Sequence, residues 1–291
     1  MKKSPPTILI LLLLSTGCAT RNALEVSDRP VALPSATVAS APVDTPPDVA
    51  VGTTFSLFPQ LKTDAVQIAT APLHWEGGDW AKFGLGFAAV GGAILLDRNL
   101  RRIVERNSTS GLVRVADAVA PFGSYYSFGV LGGFYLGGKL FKNERALSVA
   151  QDGLASSAIA AGVISPLLKL AVSRERPNRA DSTFDRDRGG MSFPSGHTTQ
   201  AFAVASVIAA HYHSFWVQAA AYSLAGLVGL SRMQQGEHYA SDVLAGALIG
   251  TAVGNAVVKF NESERLHLAF APSMNPRSGG VAVGLRFDFG R

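Results

Sequence analysis

Residues 189–206, GGMSFPSGHTTQAFAVAS, set a tight polar turn directly in front of a run of small apolar residues. From Thr198 onward the run shows no period-two alternation, so it reads as helix rather than strand. Ser195 and Gly196 fall where that helix begins, with free backbone N–H groups and the positive end of the helix dipole. Gly196 lets the backbone approach an oxygen closely, and His197 exchanges protons near neutral pH. Two readings stand at this point: a Ser-Gly turn capped by Thr198 or Thr199, or an anion site that uses Pro194, Ser195, Gly196 and His197 together.

Working outward, five more apolar helical runs appear at 79–96, 124–140, 151–172, 216–229 and 242–260, counted beside 198–211. Polar or Gly-containing turns separate them, and no alternating strand pattern interrupts them. The expectation is an all-α, six-helix bundle. Thirty glycines and many alanines imply helices packed at short distance. The C-terminus differs, because 266–271 and 281–289 alternate around a Pro/Gly/Ser turn and predict a short β-hairpin. That alternation also resembles outer-membrane strands, but two strands close no barrel.

The first 18 residues, MKKSPPTILILLLLSTGC, carry two lysines, a short apolar run and small residues up to Cys18. The run is too short to cross a bilayer and predicts an export signal. Cys18 is the single cysteine, which excludes an intramolecular disulfide. Its place after Ser15, Thr16 and Gly17 resembles a lipoprotein lipobox, so lipidation at Cys18 is expected, against an ordinary cleaved signal. Residues 19–60 are rich in Pro, Ala, Ser and Val and read as a disordered tether. The organisation expected is signal 1–18, tether 19–60, helical domain 61–262 and hairpin extension 263–291. The 291-residue chain has a net charge of +5 and only 16% charged residues, which points to local anion binding rather than a nucleic-acid footprint.

Chemistry-bearing residues fall in three places. Lys169 and Arg176 are seven residues apart, near one face if helical, in SPLLKLAVSRERPNR. They suit a phosphate, as a point charge and a bidentate fork, or simply complement a helix C-terminus. The second place is the turn already described. The third, SRMQQGEHYASDVLAG, offers Arg232 as a further bidentate donor and sets His238 four residues before Asp242. A carboxylate on one imidazole nitrogen raises the basicity of the other, although a purely structural His–Asp pair has the same spacing.

Taken in order, Lys-six-Arg-Pro, then Pro-Ser-Gly-His, then Ser-Arg-five-His-three-Asp resembles the type 2 phosphatidic acid phosphatase superfamily. That superfamily also holds bacterial non-specific acid phosphatases and vanadium haloperoxidases. The matching positions are Lys169, Arg176, Pro177, Pro194, Ser195, Gly196, His197, Ser231, Arg232, His238 and Asp242. The resemblance covers about residues 80–260. It implies that His238 attacks phosphorus to form a phosphohistidine while Asp242 holds its ring. It implies that His197 protonates the leaving oxygen and then activates water. Lys169, Arg176, Ser195, Gly196 and Arg232 would hold the phosphoryl oxygens. No metal or other cofactor is implied, and the chain shows no cluster with metal-ligand spacing.

The expected function is hydrolysis of a lipid phosphate, an isoprenoid diphosphate or a small phosphate ester. The alternatives are a vanadate-dependent haloperoxidase and a non-catalytic anion-binding lipoprotein; two histidines flanking one phosphorus argue against the latter. The expected partners are the phosphorylated substrate and a membrane, with no nucleic acid. The favoured location is the periplasmic side, anchored through Cys18 and preferably to an outer membrane. A multi-span membrane protein is the alternative, since several helices reach spanning length. His74, His211, His213 and His267 receive no site role, and the Arg-rich 97–106 reads as a solvated, salt-bridged segment or a contact for acidic headgroups.

Overall fold

The computed structural model describes residues 57–178, 190–269, 273–274 and 281–282. The signal, Cys18 and nearly all of the tether lie outside the described residues. The fold is all-α. Its helices are α1 (Leu57–Thr70), α2 (Gly77–Arg106), α3 (Ser110–Val119), α4 (Tyr125–Leu140), α5 (Glu144–Ser157), α6 (Ser165–Val172), α7 (Gly196–His211), α8 (Phe215–Gln234) and α9 (Ala240–Ala269). A π-helical stretch, Ala158–Ile164, joins α5 to α6 without a break, so the described helices form eight rods.

All six expected helices are present, and two rods were not foreseen. The α1 rod begins inside the Pro-rich region, and α3 follows the Arg-rich segment, where Thr109 accepts a hydrogen bond from the Leu112 amide as an N-cap. The strand expected at 266–271 is corrected over 266–269, which continue α9. Among the described residues, Ser273–Met274 pairs antiparallel with Val281–Ala282. The remainder of the expected hairpin lies outside the described residues.

At the centre, α7 lies against α9 through glycine. A Cβ added at Gly246 would meet the Ser195 carbonyl oxygen at 2.7 Å, and one at Gly250 the Thr199 carbonyl oxygen at 2.4 Å. One at Gly254 would meet the Ser206 hydroxyl at 2.0 Å. Spaced four apart, these glycines form one stripe of α9, and their missing side chains let two backbones touch. The core beside them is small: Ala155, Ile159, Ala160, Ala203, Val253 and Val257 cluster in one part, and Ala201, Ala205, Ala225 and Val228 in another.

The outer faces are apolar. Leu85 and Phe87 are 74% exposed and Leu95 is 82% exposed, all on α2. Among the described residues, three helical stretches are long and apolar enough to cross a membrane: Gly77–Arg106, Glu144–Val172 and Ala240–Ser263.

A second buried polar cluster occupies the end of the bundle away from α7's N-terminus. Asp152 accepts from His211 at 2.8 Å, Asn261 at 2.9 Å and Arg265 at 2.8 Å. The sequence offered His211 no carboxylate; its partner stands 59 positions away.

Candidate active site

The N-terminus of α7, the C-terminus of α6 and the turn between α8 and α9 meet at one end of the bundle. Helix α6 stops at Val172, where Ser173 turns left-handed at φ 49°. Lys169 and Arg176 therefore do not share a helix face, as the spacing suggested. Residues 173–176 run out of the helix and carry Arg176 back across the site.

Lys169 Nζ donates to the carbonyls of Met191 and Pro194 at 2.6 and 2.7 Å, which ties it to the turn before α7. A Cβ on Gly196 would lie 3.9 Å from Lys169 Cε, so the lysine stem passes the bare backbone of the α7 N-terminus. Ser195 is the N-cap of α7, fully buried, and its hydroxyl accepts from Thr198 at 2.9 Å. Arg176 and Arg232 both lean on Glu237, the residue before His238: Arg176 donates to it directly, and Arg232 lies 3.8 Å from it.

His197 lies within the electrostatic reach of Arg232, His238, Lys169 and Arg176. Burial first, and then those neighbours in that order, push its imidazole down to about 4. Burial also lowers His238, opposed by the carboxylate of Asp242. Every residue predicted for the site thus stands at this end of the bundle, with Cys18 outside the described residues.

The His238–Asp242 contact is looser than the sequence suggested. His238 Nδ1 stands 3.7 Å from Asp242 Oδ2, beyond hydrogen-bond distance, and that buried nitrogen has no hydrogen-bond partner among the described residues. Asp242 is instead held by others. Its Oδ2 accepts from the Ser192 hydroxyl and from the Tyr239 amide at 2.9 Å, and its Oδ1 accepts from Arg174 at 2.6 Å.

Arg174 and its second partner, Asp97, were missed in the sequence. Arg174 is fully buried and donates to Asp97 at 2.7 Å, to the Ser241 hydroxyl at 2.6 Å and to Asp242. Its guanidinium also lies 4.1 Å from the Tyr239 ring centroid. A signal for Asp97 did exist. It is the only acidic residue between Asp79 and Glu105 in an apolar run, and such a carboxylate needs a buried partner. Residues 97–106 are accordingly not a solvated segment throughout: Asp97 is buried, while Arg101 pairs with Glu105 at 2.6 Å.

Two cavities flank the site. One of about 380 Å³ opens beside His197 and Gly196, between Phe128 of α4 and Leu154, Ala158 and Gly162 of the α5–π rod. The other, about 190 Å³, lies behind His238 against Asp97 and Arg101 of α2. Among the described residues, no group of three or more His, Cys, Asp or Glu side chains is placed to hold a metal ion.

Residues 153–265 match the model of the PAP2 superfamily. The chain carries a PAP2 superfamily domain. A lipid A 1-phosphatase of Porphyromonas gingivalis is 38% identical over 98 residues, 32% of this chain and 22% of that protein. Phosphatidylglycerophosphatase B of Bacillus subtilis is 33% identical over 109 residues, 34% of this chain and 52% of that protein. A crystal structure of Aquifex aeolicus LpxE aligns with a TM-score of 0.46 at 26% identity, over 56% of this chain and 95% of that one. The chain thus spans 22% of the first of these curated relatives and 52% of the second.

Proposed function

We propose that this PAP2 chain is a membrane-embedded, metal-independent phosphatase for lipid phosphates, working through a phosphohistidine at His238. The observation that carries the reading is the depth of the site. On α2, Trp80 and Arg98 are 18 residues apart, which is roughly 27 Å of helix, close to the hydrocarbon thickness of a bilayer. Trp75, Trp80 and Phe83 form an aromatic cluster at one end of that span. Arg98, Arg102 and Arg106, all exposed, stand at the other. Asp97, beside Arg98, touches the candidate site through Arg174. The phosphate pocket therefore sits at the level of lipid headgroups.

In the proposed reaction, His238 Nε2 forms a bond to phosphorus as the bond from phosphorus to the leaving oxygen breaks. His197 gives its proton to that oxygen. Lys169, Arg176 and Arg232, with the Gly196 amide and the α7 dipole, stabilise the charge spread over the phosphoryl oxygens. Water then attacks phosphorus, His197 takes its proton and the N–P bond breaks. Because in-line transfer sets the leaving group opposite His238, the alcohol faces His197 and the largely apolar cavity beside it. Both arginines release Glu237 to take the phosphate. The lipid phosphatases named above support the substrate class, and the complete pair of histidines favours catalysis over simple anion binding.

The test is phosphate release by the full chain in detergent micelles, with chelator present, from phosphatidic acid and a short-chain phosphate ester. The long-chain substrate should be preferred, and His238→Ala should lose at least about a thousandfold. Release that needs added metal, or survives His238→Ala, contradicts the proposal.

A further inference from the structure

The structure assigns Asp97 and Arg174 a positioning role: a buried carboxylate–guanidinium–carboxylate chain behind His238 that keeps Asp242 basic enough to support the nucleophile. The inference rests on the phosphohistidine reading above. It is carried by Arg174 and Ser241, at positions within the motif spans to which the resemblance gives no role, and by Asp97, which lies outside the matched domain, on α2.

All three charged side chains are fully buried, with Arg174 between the two carboxylates at 2.7 and 2.6 Å. Two carboxylates and one guanidinium leave a net charge of −1. Ser241 stitches two of them together: its amide donates to Asp97 at 3.0 Å, and its hydroxyl accepts from Arg174 and donates to Asp97. Asp97 thereby reaches the first turn of α9, which also carries Asp242.

A lone Arg174–Asp242 pair would be neutral, and the guanidinium would draw the carboxylate's electrons away from the imidazole. Sharing Arg174 with Asp97 divides that pull and returns one negative charge to the space behind the ring. That charge is needed when Nε2 bonds to phosphorus, because the ring then becomes cationic and its Nδ1 proton must be held. A clasp serving stability alone has no need of an odd charge. A neutral pair would cost less to bury.

The charged and titratable groups facing this chain and His238 are Arg101 from α2, Lys169 from α6, Arg232 from α8, and His238 and Tyr239 from the turn before α9. The test compares Asp97→Asn with the double variant Asp97→Asn/Arg174→Gln in the full chain. Each is assayed for the pH profile of kcat/KM, for kcat and KM separately, and for thermal protection by vanadate as a probe of the folded site.

Asp97→Asn keeps the shape and removes the odd charge. It should lower kcat by about tenfold or more, in line with other outer-shell partners of functional histidines, and leave KM nearly unchanged. The acid limb should move to lower pH, because protonated His238 loses a stabilising charge. The double variant restores a net −1 through Asp242 alone and should recover part of kcat and of the acid limb.

Asp97→Asn with unchanged kcat and acid limb overturns the inference, as does a double variant no better than the single. Loss of vanadate protection in both variants also overturns it, since the chain would then be a structural clasp. If the wild type releases no phosphate, or His238→Ala matches it, the failure belongs to the phosphatase reading instead.

Discussion

His197 must be neutral to accept a proton from water and cationic to give one to the leaving oxygen, so its surroundings set the pH at which the site is ready. Burial and its cationic neighbours push its imidazole down to about 4, below the ordinary 6.5. Between those values the unfolded chain binds a proton that the folded chain refuses. Stability is therefore complete above about pH 6.5 and falls as pH drops toward 4. The midpoint of thermal unfolding in detergent should decline from pH 7 to pH 5, and His197→Gln should flatten part of that decline. A midpoint that rises on acidification, or an identical slope in the variant, contradicts the stated environment. A bound phosphoryl dianion opposes the three cationic neighbours, Arg232, Lys169 and Arg176, and draws the imidazole back toward its acid form.

The residues within each motif were legible in the sequence because their spacings are short along the chain. Lys169, Arg176, Ser195, His197, Arg232 and Asp242 were all placed from such spacings. The partners that hold them were not. Asp97 lies 77 positions from Arg174, and Arg174 lies 68 from Asp242, so only the fold brings them together. Arg176 stands at the same end of the bundle as Lys169 without sharing its helix face, since the left-handed Ser173 ends α6 before it.

At the scale of elements, the α7–α9 contact sets where His197 stands relative to Asp242. The Ser195 amide donates to the Asp242 carbonyl at 3.0 Å, so the two site elements are joined by backbone as well as by packing. Gly250 permits that approach, and a methyl group there would enter the Thr199 carbonyl at 2.4 Å. Gly250→Ala should destabilise the bundle by about 1–3 kcal/mol and lower kcat by displacing the α7 N-terminus. Gly132→Ala on α4, where nothing lies within 4 Å, should change neither. Equal thermal midpoints for the two variants count against the close-packed seam. Helix identity was readable from the apolar runs, whereas α1 and α3 were hidden. The former follows a Pro-rich segment, and the latter shows three exposed apolar residues, Leu112, Val113 and Val115, rather than a buried stripe.

At the scale of the molecule, the exposed faces bear on the choice between a tethered soluble domain and the proposed spanning bundle. Phe83, Leu85, Phe87, Leu95 and Leu96 on α2 are each more than half exposed. Moving such side chains from water into an apolar medium yields about 1.5–3 kcal/mol apiece, so α2 alone favours lipid by roughly 10 kcal/mol. That balance favours the multi-span alternative over the exported domain preferred from sequence. Signal-like residues and a Pro-rich stretch are local features and carry no information about which helix faces remain uncovered. Full-length protein with Cys18→Ser should stay in the membrane pellet after alkaline carbonate extraction. Its appearance in the supernatant would place the membrane attachment in the lipid anchor alone.

The central claim is that phosphorus passes through His238. Full-length enzyme mixed with a lipid phosphate labelled at phosphorus, then quenched within the first turnover, should carry label on protein that is lost in acid and retained in base. The label should map to His238, remain absent in His238→Ala, and accumulate in His197→Gln when the leaving group is activated, because water attack is then slowed. Turnover with no labelled protein under any of these conditions, or label on another residue, contradicts the account.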